Sequence, residues 1–92
     1  MKIGVIGLGF VGLSLTSVLA SKGYDIVGID IDNEKCNKIN NGISPFFEPE
    51  LENILQKGLK KKLKIESNFS LINDCDFIFV TVGTPQNTNG SI

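Results

Sequence analysis

Apolar residues along this chain fall into two rhythms: short unbroken runs, and runs that recur every three or four positions. Residues 2–6 (KIGVI) form a short run with a wholly apolar centre, as expected for a strand covered on both faces. Glycines follow at 7, 9 and 12. Val11, Leu15, Val18 and Leu19 then recur at i, i+4, i+7 and i+8, which predicts one buried face of a helix ending near Lys22-Gly23. Residues 25–29 make a second apolar strand, closed by Asp30. Asp32 suits the N-cap of a helix that carries Cys36 and Ile39 inward and stops at Asn41-Gly42. After a loop containing Pro45, Glu48-Pro49 opens another helix with proline in its first turn. Leu51, Ile54, Leu55 and Leu59 are its expected buried stripe. Residues 63–66 read as a short third strand and 67–75 as a short helix or turn. Residues 76–82 (DFIFVTV) are a strong fourth strand, rich in β-branched and aromatic side chains. A polar loop with Pro85 and Gly90 fills 83–92.

Strands alternating with helices predict an α/β fold with a parallel sheet and right-handed crossovers. The expected strand order is 3-2-1-4, most of the first half of a doubly wound, or Rossmann, fold. With 92 residues, the chain is long enough for one small domain, and residues 1–92 read as the N-terminal part of it.

Gly7-Leu8-Gly9-Phe10-Val11-Gly12 fits G-x-G-x-x-G. On its own that match is weak. Here a strand precedes it, a helix follows it, and an acid closes the next strand, which is the full context of a dinucleotide-binding loop. Gly7 would permit the tight turn, Gly9 the approach of a pyrophosphate to the backbone, and Gly12 the close packing of helix on strand. Backbone N–H groups of Phe10 and Val11, at the helix start, would face the pyrophosphate. A glycine-rich turn without a ligand is the plainer alternative, and the acid argues against it. The Asp30 carboxylate can accept hydrogen bonds from ribose hydroxyls, while its charge repels a 2′-phosphate. With no arginine after it, NAD is favoured over NADP.

Composition removes other classes. There is no histidine, so Ser-His-Asp triads, Cys-His dyads and His-containing zinc sites are excluded, and no metal site is expected. Cys36 and Cys75 form no CxxC and read as reduced cytosolic thiols in or near the core, hence a cytoplasmic protein. A net charge of −1 points to no nucleic-acid partner. The one basic cluster (Lys57, Lys60, Lys61, Lys62, Lys64) suits a solvated helix end, where lysines complement the negative pole of the dipole. The uncharged stretch 3–20 has the length of a signal peptide or a short membrane span. Its regularly spaced glycines make a poor helix and argue against both, so no membrane partner is expected.

Three further segments narrow the reading: Asp30-Ile31-Asp32-Asn33-Glu34-Lys35, the loop NGISPFFEPEL from Asn41 to Leu51, and Val82-Gly83-Thr84-Pro85. Together with the opening KIGVIGLGFVGL they resemble, over essentially the whole chain, the N-terminal NAD-binding domain of the UDP-glucose/GDP-mannose dehydrogenase family. The resemblance implies oxidation of a sugar C6 hydroxyl to a carboxylate with two NAD in succession, on a nucleotide-sugar substrate. It also implies a homo-oligomer for the full-length enzyme. Position by position, it assigns Gly7, Gly9, Phe10, Val11 and Gly12 to the pyrophosphate loop, Asp30 and Lys35 to the adenosine ribose, and Thr84 to a place beside NAD. Lys35 also suits a solvated helix lysine, Thr84-Pro85 a strand-ending turn, and residues 45–51 a proline-started helix. The catalytic cysteine, lysine, asparagine and glutamates of the family fall downstream, so no catalytic residue is expected in this chain. Residues 67–76 are about one residue shorter than the family pattern. Two other readings remain: a stand-alone or remnant NAD-binding module without catalysis, and the front of a β-hydroxyacid-type dehydrogenase. The EP-x-L loop and V-G-T-P argue against the latter.

Overall fold

The computed structural model describes residues 1–81. Strand β1 (Lys2–Ile6) leads through the glycine turn into helix α1 (Phe10–Ser21), and β2 (Asp25–Ile29) into α2 (Asn33–Asn40). Helix α3 (Pro49–Leu59), strand β3 (Leu63–Glu66), a 3-10 turn (Phe69–Asp74) and strand β4 (Phe77–Val80) complete the order. All the strand pairs are parallel, and the sheet runs β3-β2-β1-β4, the order expected from the sequence. Residues 67–75 resolve to the 3-10 turn, and Cys75 follows it as its cap. The predicted fourth strand is shorter among the described residues, and Val82 lies outside them.

Local chemistry explains the helix ends. The Asp32 carboxylate accepts from Lys35 N–H and caps α2, while Gly42, at φ +79°, takes the chain out of it. Glu48 caps α3 with Pro49 next, and Ser44 N–H donates to Glu52 at 2.8 Å, tying the preceding loop to the helix. Lys57 stands in the last turn of α3, Lys60 caps it, and Lys61 Nζ donates to the Ser21 carbonyl at 2.8 Å.

The main core lies on the sheet face covered by α1 and α3. It gathers Ile3 and Val5 of β1, Ile26 of β2 and Leu63 and Ile65 of β3 with Leu13, Ala20, Leu51 and Leu55. Alternation puts Val27 and Ile29 on the opposite face. Both are buried, and the 3-10 turn packs against their strand. β4 is exposed along its length at Phe77, Ile78, Phe79 and Val80. Nothing among the described residues pairs with its outer edge.

One expectation holds only in part. Of Val11, Leu15, Val18 and Leu19, Leu15 and Leu19 are half-buried and pack against the core, while Val11 is 66% and Val18 38% exposed. The fully buried residues of α1 are Gly12, Leu13, Thr16, Ser17 and Ala20. The reason is proximity. A carbon added at Gly58 of α3 would stand 2.8 Å from the Ala20 methyl, and one added at Gly28 of β2 would stand 3.4 Å from Thr16. At these two contacts only small side chains fit, so Thr16 and Ala20 face the neighbouring elements, Leu13 fills the core beside them, and Val11 and Val18 turn outward. Thr16 and Ser17 thereby bury hydroxyls that find no partner within the described residues.

An unpaired buried hydroxyl costs stability, whereas an isosteric methyl does not. Thr16→Val is therefore expected to stabilise the chain by about 1 kcal/mol and raise Tm by about 4–8 °C. Thermal unfolding followed by circular dichroism checks this; a lowered Tm would show that the hydroxyl has a partner.

Candidate cofactor site

The C-terminal ends of β1, β2 and β4 meet at the glycine turn, where ligands bind in open parallel sheets. Gly7, at φ +94°, takes the chain out of β1, and its N–H donates to the Ile29 carbonyl at 2.8 Å. This left-handed φ is the conformation that only glycine adopts cheaply. Gly12 serves packing. A carbon there would overlap the Gly7 carbonyl and the Thr81 hydroxyl.

Gly9 is different. Its φ of −70° and ψ of −166° suit any residue, and a carbon added to it meets nothing within 4 Å among the described residues. The packing of the described residues does not require a glycine at this position. Space is instead left open on the outside of the turn, directly before the first N–H groups of α1. Asp32 and Glu48 cap the other two α-helices with side chains. α1 begins at Gly9 with no side-chain cap and no acid in its first turn. Phe10 and Val11 are exposed beside it. Such a helix start favours an anion.

Asp30 closes β2 and is 9% exposed. One carboxylate oxygen accepts from Leu8 N–H at 2.8 Å and from Lys35 Nζ at 3.3 Å; the other accepts from Asp32 N–H at 3.0 Å. Burial opposes ionisation. The N–H groups of Asp32 and Leu8 and then the Lys35 ammonium outweigh it and hold the carboxyl below its usual 3.8. Lys35 is thus paired rather than simply solvated, and five residues of chain bring it onto Asp30. Cys36, on the inner side of α2, is buried, and burial followed by the Asp30 charge pushes its thiol up. Cys75 is half-buried, and its thiol is also raised, chiefly by burial.

A small cavity of about 110 Å³ opens beside this carboxylate, lined by Ile6, Gly7, Asp30, Ile31 and Phe69. A larger, open hollow of about 550 Å³ lies over Ser44, Phe46, Phe47, Glu48, Pro49 and Glu52. It carries no glycine-turn residue, although the Phe46 ring meets Phe10 edge-to-face at 5.5 Å. The structure therefore brings Gly7, Gly9, Phe10, Val11, Gly12, Asp30 and Lys35 to one end of the sheet. Thr84 lies outside the described residues. Sequence reasoning passed over Ile31, Phe69 and Thr81. Ile31 had a signal, an apolar residue directly after the acid that closes β2. Phe69 and Thr81 had none until the strand order placed them. Among the described residues, no three His, Cys, Asp or Glu side chains gather to hold a metal ion.

Residues 1–92 match the model of the UDP-glucose/GDP-mannose dehydrogenase family, NAD binding domain, from end to end. The chain belongs to that family. A GDP-mannose 6-dehydrogenase of Pseudomonas syringae pv. tomato is 44% identical over 94 aligned residues, covering all of this chain and 22% of the relative. The crystal structure of a ternary complex of GDP-mannose dehydrogenase from Pseudomonas aeruginosa superposes with a TM-score of 0.88 at 38% identity. It matches 98% of this chain and 21% of that one. A UDP-D-ManNAc dehydrogenase from Pyrococcus horikoshii gives 0.86 at 38% identity, over 95% of this chain and 21% of that one. The chain spans about a fifth of the length of these relatives. NAD is the cofactor of this family's domain, and the fold is of the Rossmann type that the solved relatives share. No helix among the described residues is long and apolar enough to cross a membrane.

The two glycines separate packing from ligand access. Gly12→Ala is expected to lose at least about 3 kcal/mol, because the added methyl meets backbone that cannot yield. Gly9→Ala should stay within about 1 kcal/mol of the parent. Urea titration of both variants decides it, and equal losses would contradict the geometry.

Asp30 adds a pH dependence with a definite sign. Its folded pKa lies below the unfolded value, so its contribution to stability is complete above about pH 4 and is lost as pH falls through the folded value. Asp30→Asn should flatten that part of the acid limb in denaturant midpoints measured from pH 5 to 2. An unchanged limb would show that Asp30 is not stabilised as an anion.

Proposed function

We propose that this chain is the cofactor-holding front of a nucleotide-sugar 6-dehydrogenase. It would form the N-terminal part, residues 1–92, of the NAD-binding domain. The observation that carries the reading is the open space at Gly9, before an uncapped helix start and beside an anionic Asp30. The residues fit the group. A pyrophosphate at Gly9 would take the N–H groups of Phe10 and Val11, while Gly7 and Gly12 shape the turn. Asp30 uses three of its roughly four acceptor positions internally, which leaves capacity for a ribose hydroxyl. Ile31 and Phe69 supply apolar walls to the adjacent cavity, suited to a flat heterocycle. Lys35 holds the Asp30 carboxylate as an anion, and Thr84 is assigned to the cofactor by the family pattern. NAD, when bound, accepts a hydride. The chain's own contribution is to bind and orient it through backbone N–H groups and one carboxylate.

The substrate by this reading is a UDP- or GDP-sugar whose C6 hydroxyl is oxidised to a carboxylate. The solved and curated relatives support this class, being named for GDP-mannose and UDP-ManNAc. The described residues include no histidine, and Cys36 is buried behind Asp30. We therefore place the catalytic groups in the rest of the protein, and the 92-residue chain is expected to be inactive by itself.

Calorimetric titration of the 92-residue chain tests the cofactor assignment. NADH is expected to bind at least about tenfold more tightly than NADPH, because Asp30 repels the 2′-phosphate. Gly9→Val should abolish NADH binding with its circular dichroism spectrum retained. Equal affinity for the two cofactors, or an unaffected Gly9→Val variant, would overturn the reading.

A further inference from the structure

The peptide that joins Gly7 to Leu8 is held at both of its polar ends. Its N–H, carried by Leu8, donates to Asp30 Oδ2 at 2.8 Å. Its carbonyl, carried by Gly7, accepts from the Thr81 hydroxyl at 2.7 Å. In a trans peptide these two groups point in opposite directions, so the plane is clamped from both sides. Thr81 reaches this position through strand register. Ile6 pairs with Val80, and Thr81, the next residue, donates its own N–H to the Ile6 carbonyl at 2.8 Å. Its hydroxyl also lies 3.3 Å from that carbonyl. A hydroxyl has one proton, and the shorter contact to Gly7 takes it. Gly12 completes the arrangement, since a carbon there would strike both the Gly7 carbonyl and the Thr81 oxygen. The bare face of α1 therefore makes room for this hydrogen bond as well as for the strand.

We propose that Thr81 is a positioning residue for the cofactor loop, acting through the Gly7–Leu8 peptide on both the start of α1 and the Asp30 carboxylate. The proposal rests on the NAD reading of this site. Gly7 has no side chain to restrict its torsions. Without a donor on its carbonyl, the peptide is held at one end only, and rotation about the Gly7 torsions lengthens the Leu8 N–H bond to Asp30. The pyrophosphate end and the ribose end of the site then loosen together, although Thr81 itself touches neither. A side chain just past the end of β4 thereby sets the cofactor geometry at the ends of β1 and β2.

The test is titration of NADH into the full chain and its Thr81 variants, with thermal unfolding measured alongside. Thr81→Val keeps shape and β-branching but removes the donor, and NADH should bind about tenfold more weakly. Thr81→Ala, which also lacks the hydroxyl and adds no bulk, should show the same loss and replaces the valine variant if that one fails to fold. Thr81→Ser restores the hydroxyl and should bind within about twofold of the parent. A purely structural role predicts rescue that follows Tm rather than the hydroxyl. A double-mutant cycle with Asp30→Asn should be non-additive in NADH affinity, because both residues hold one peptide. Unchanged affinity in Thr81→Val and Thr81→Ala, serine behaving as alanine, or strict additivity would overturn the proposal while leaving the NAD reading intact. A parent chain that binds no NADH would overturn the NAD reading and the proposal with it.

Discussion

Helix α1 lies on β1 at a distance set by one carbonyl group. The Gly7 oxygen occupies the space in which any side chain at residue 12 would begin. From this contact follow the angle at which the chain leaves β1 and the direction in which the first N–H groups of α1 point. The small residues further along the helix belong to the same constraint, since Thr16 meets the β2 face at Gly28 and Ala20 meets Gly58 of α3. Dispersion between these closely fitted surfaces adds to the burial of Leu13 on the same helix. The hydroxyls of Thr16 and Ser17, without a partner among the described residues, are a cost of the same geometry.

Asp30 joins a proposed recognition role to an observed structural one. The acid that we propose faces the ribose ties the glycine turn to the end of β2 and the start of α2. A carboxylate bound by two backbone N–H groups and a lysine is fixed in both rotamer and charge before any ligand arrives. Such preorganisation lowers the ordering cost of binding. It also means that replacing Asp30 disturbs the turn itself, so its effect on cofactor binding always contains a structural part.

Burial is uneven across the sheet. The face under α1 and α3 is densely packed, while the 3-10 turn stands on the other and β4 is exposed. An exposed apolar strand whose outer edge is unpaired among the described residues is a template for further strand addition. The solved relatives extend well beyond the matched region, this chain spanning only about a fifth of them. Thr81 sits just past the end of this strand, so the glycine turn takes one of its supports from the part of the sheet least covered by the described residues.

Much of this protein is written locally. The glycine spacing, the acid closing β2, the Asp32 cap, the helix start at Glu48-Pro49 and the β-rich run 76–82 each act within a few residues, and each was legible in the sequence. The strand order followed as well, because right-handed crossovers leave few alternatives. The buried face of α1 was legible only in part: Leu15 and Leu19 pack on the core, and Val11 and Val18 do not. Periodicity counts hydrophobicity, whereas the close approach of three elements selects small volume, and that separation exists only in the folded molecule. For the same reason Gly9 and Gly12 look alike in the motif, but tertiary contact makes one a packing necessity and the other an open approach. Thr81 and Phe69 lie more than sixty residues from Gly7 along the chain, and only the pairing of β4 with β1 and the 3-10 turn beneath the sheet bring them to it. Sequence determined which groups can bind; the distances between strands and helices decided which of them meet.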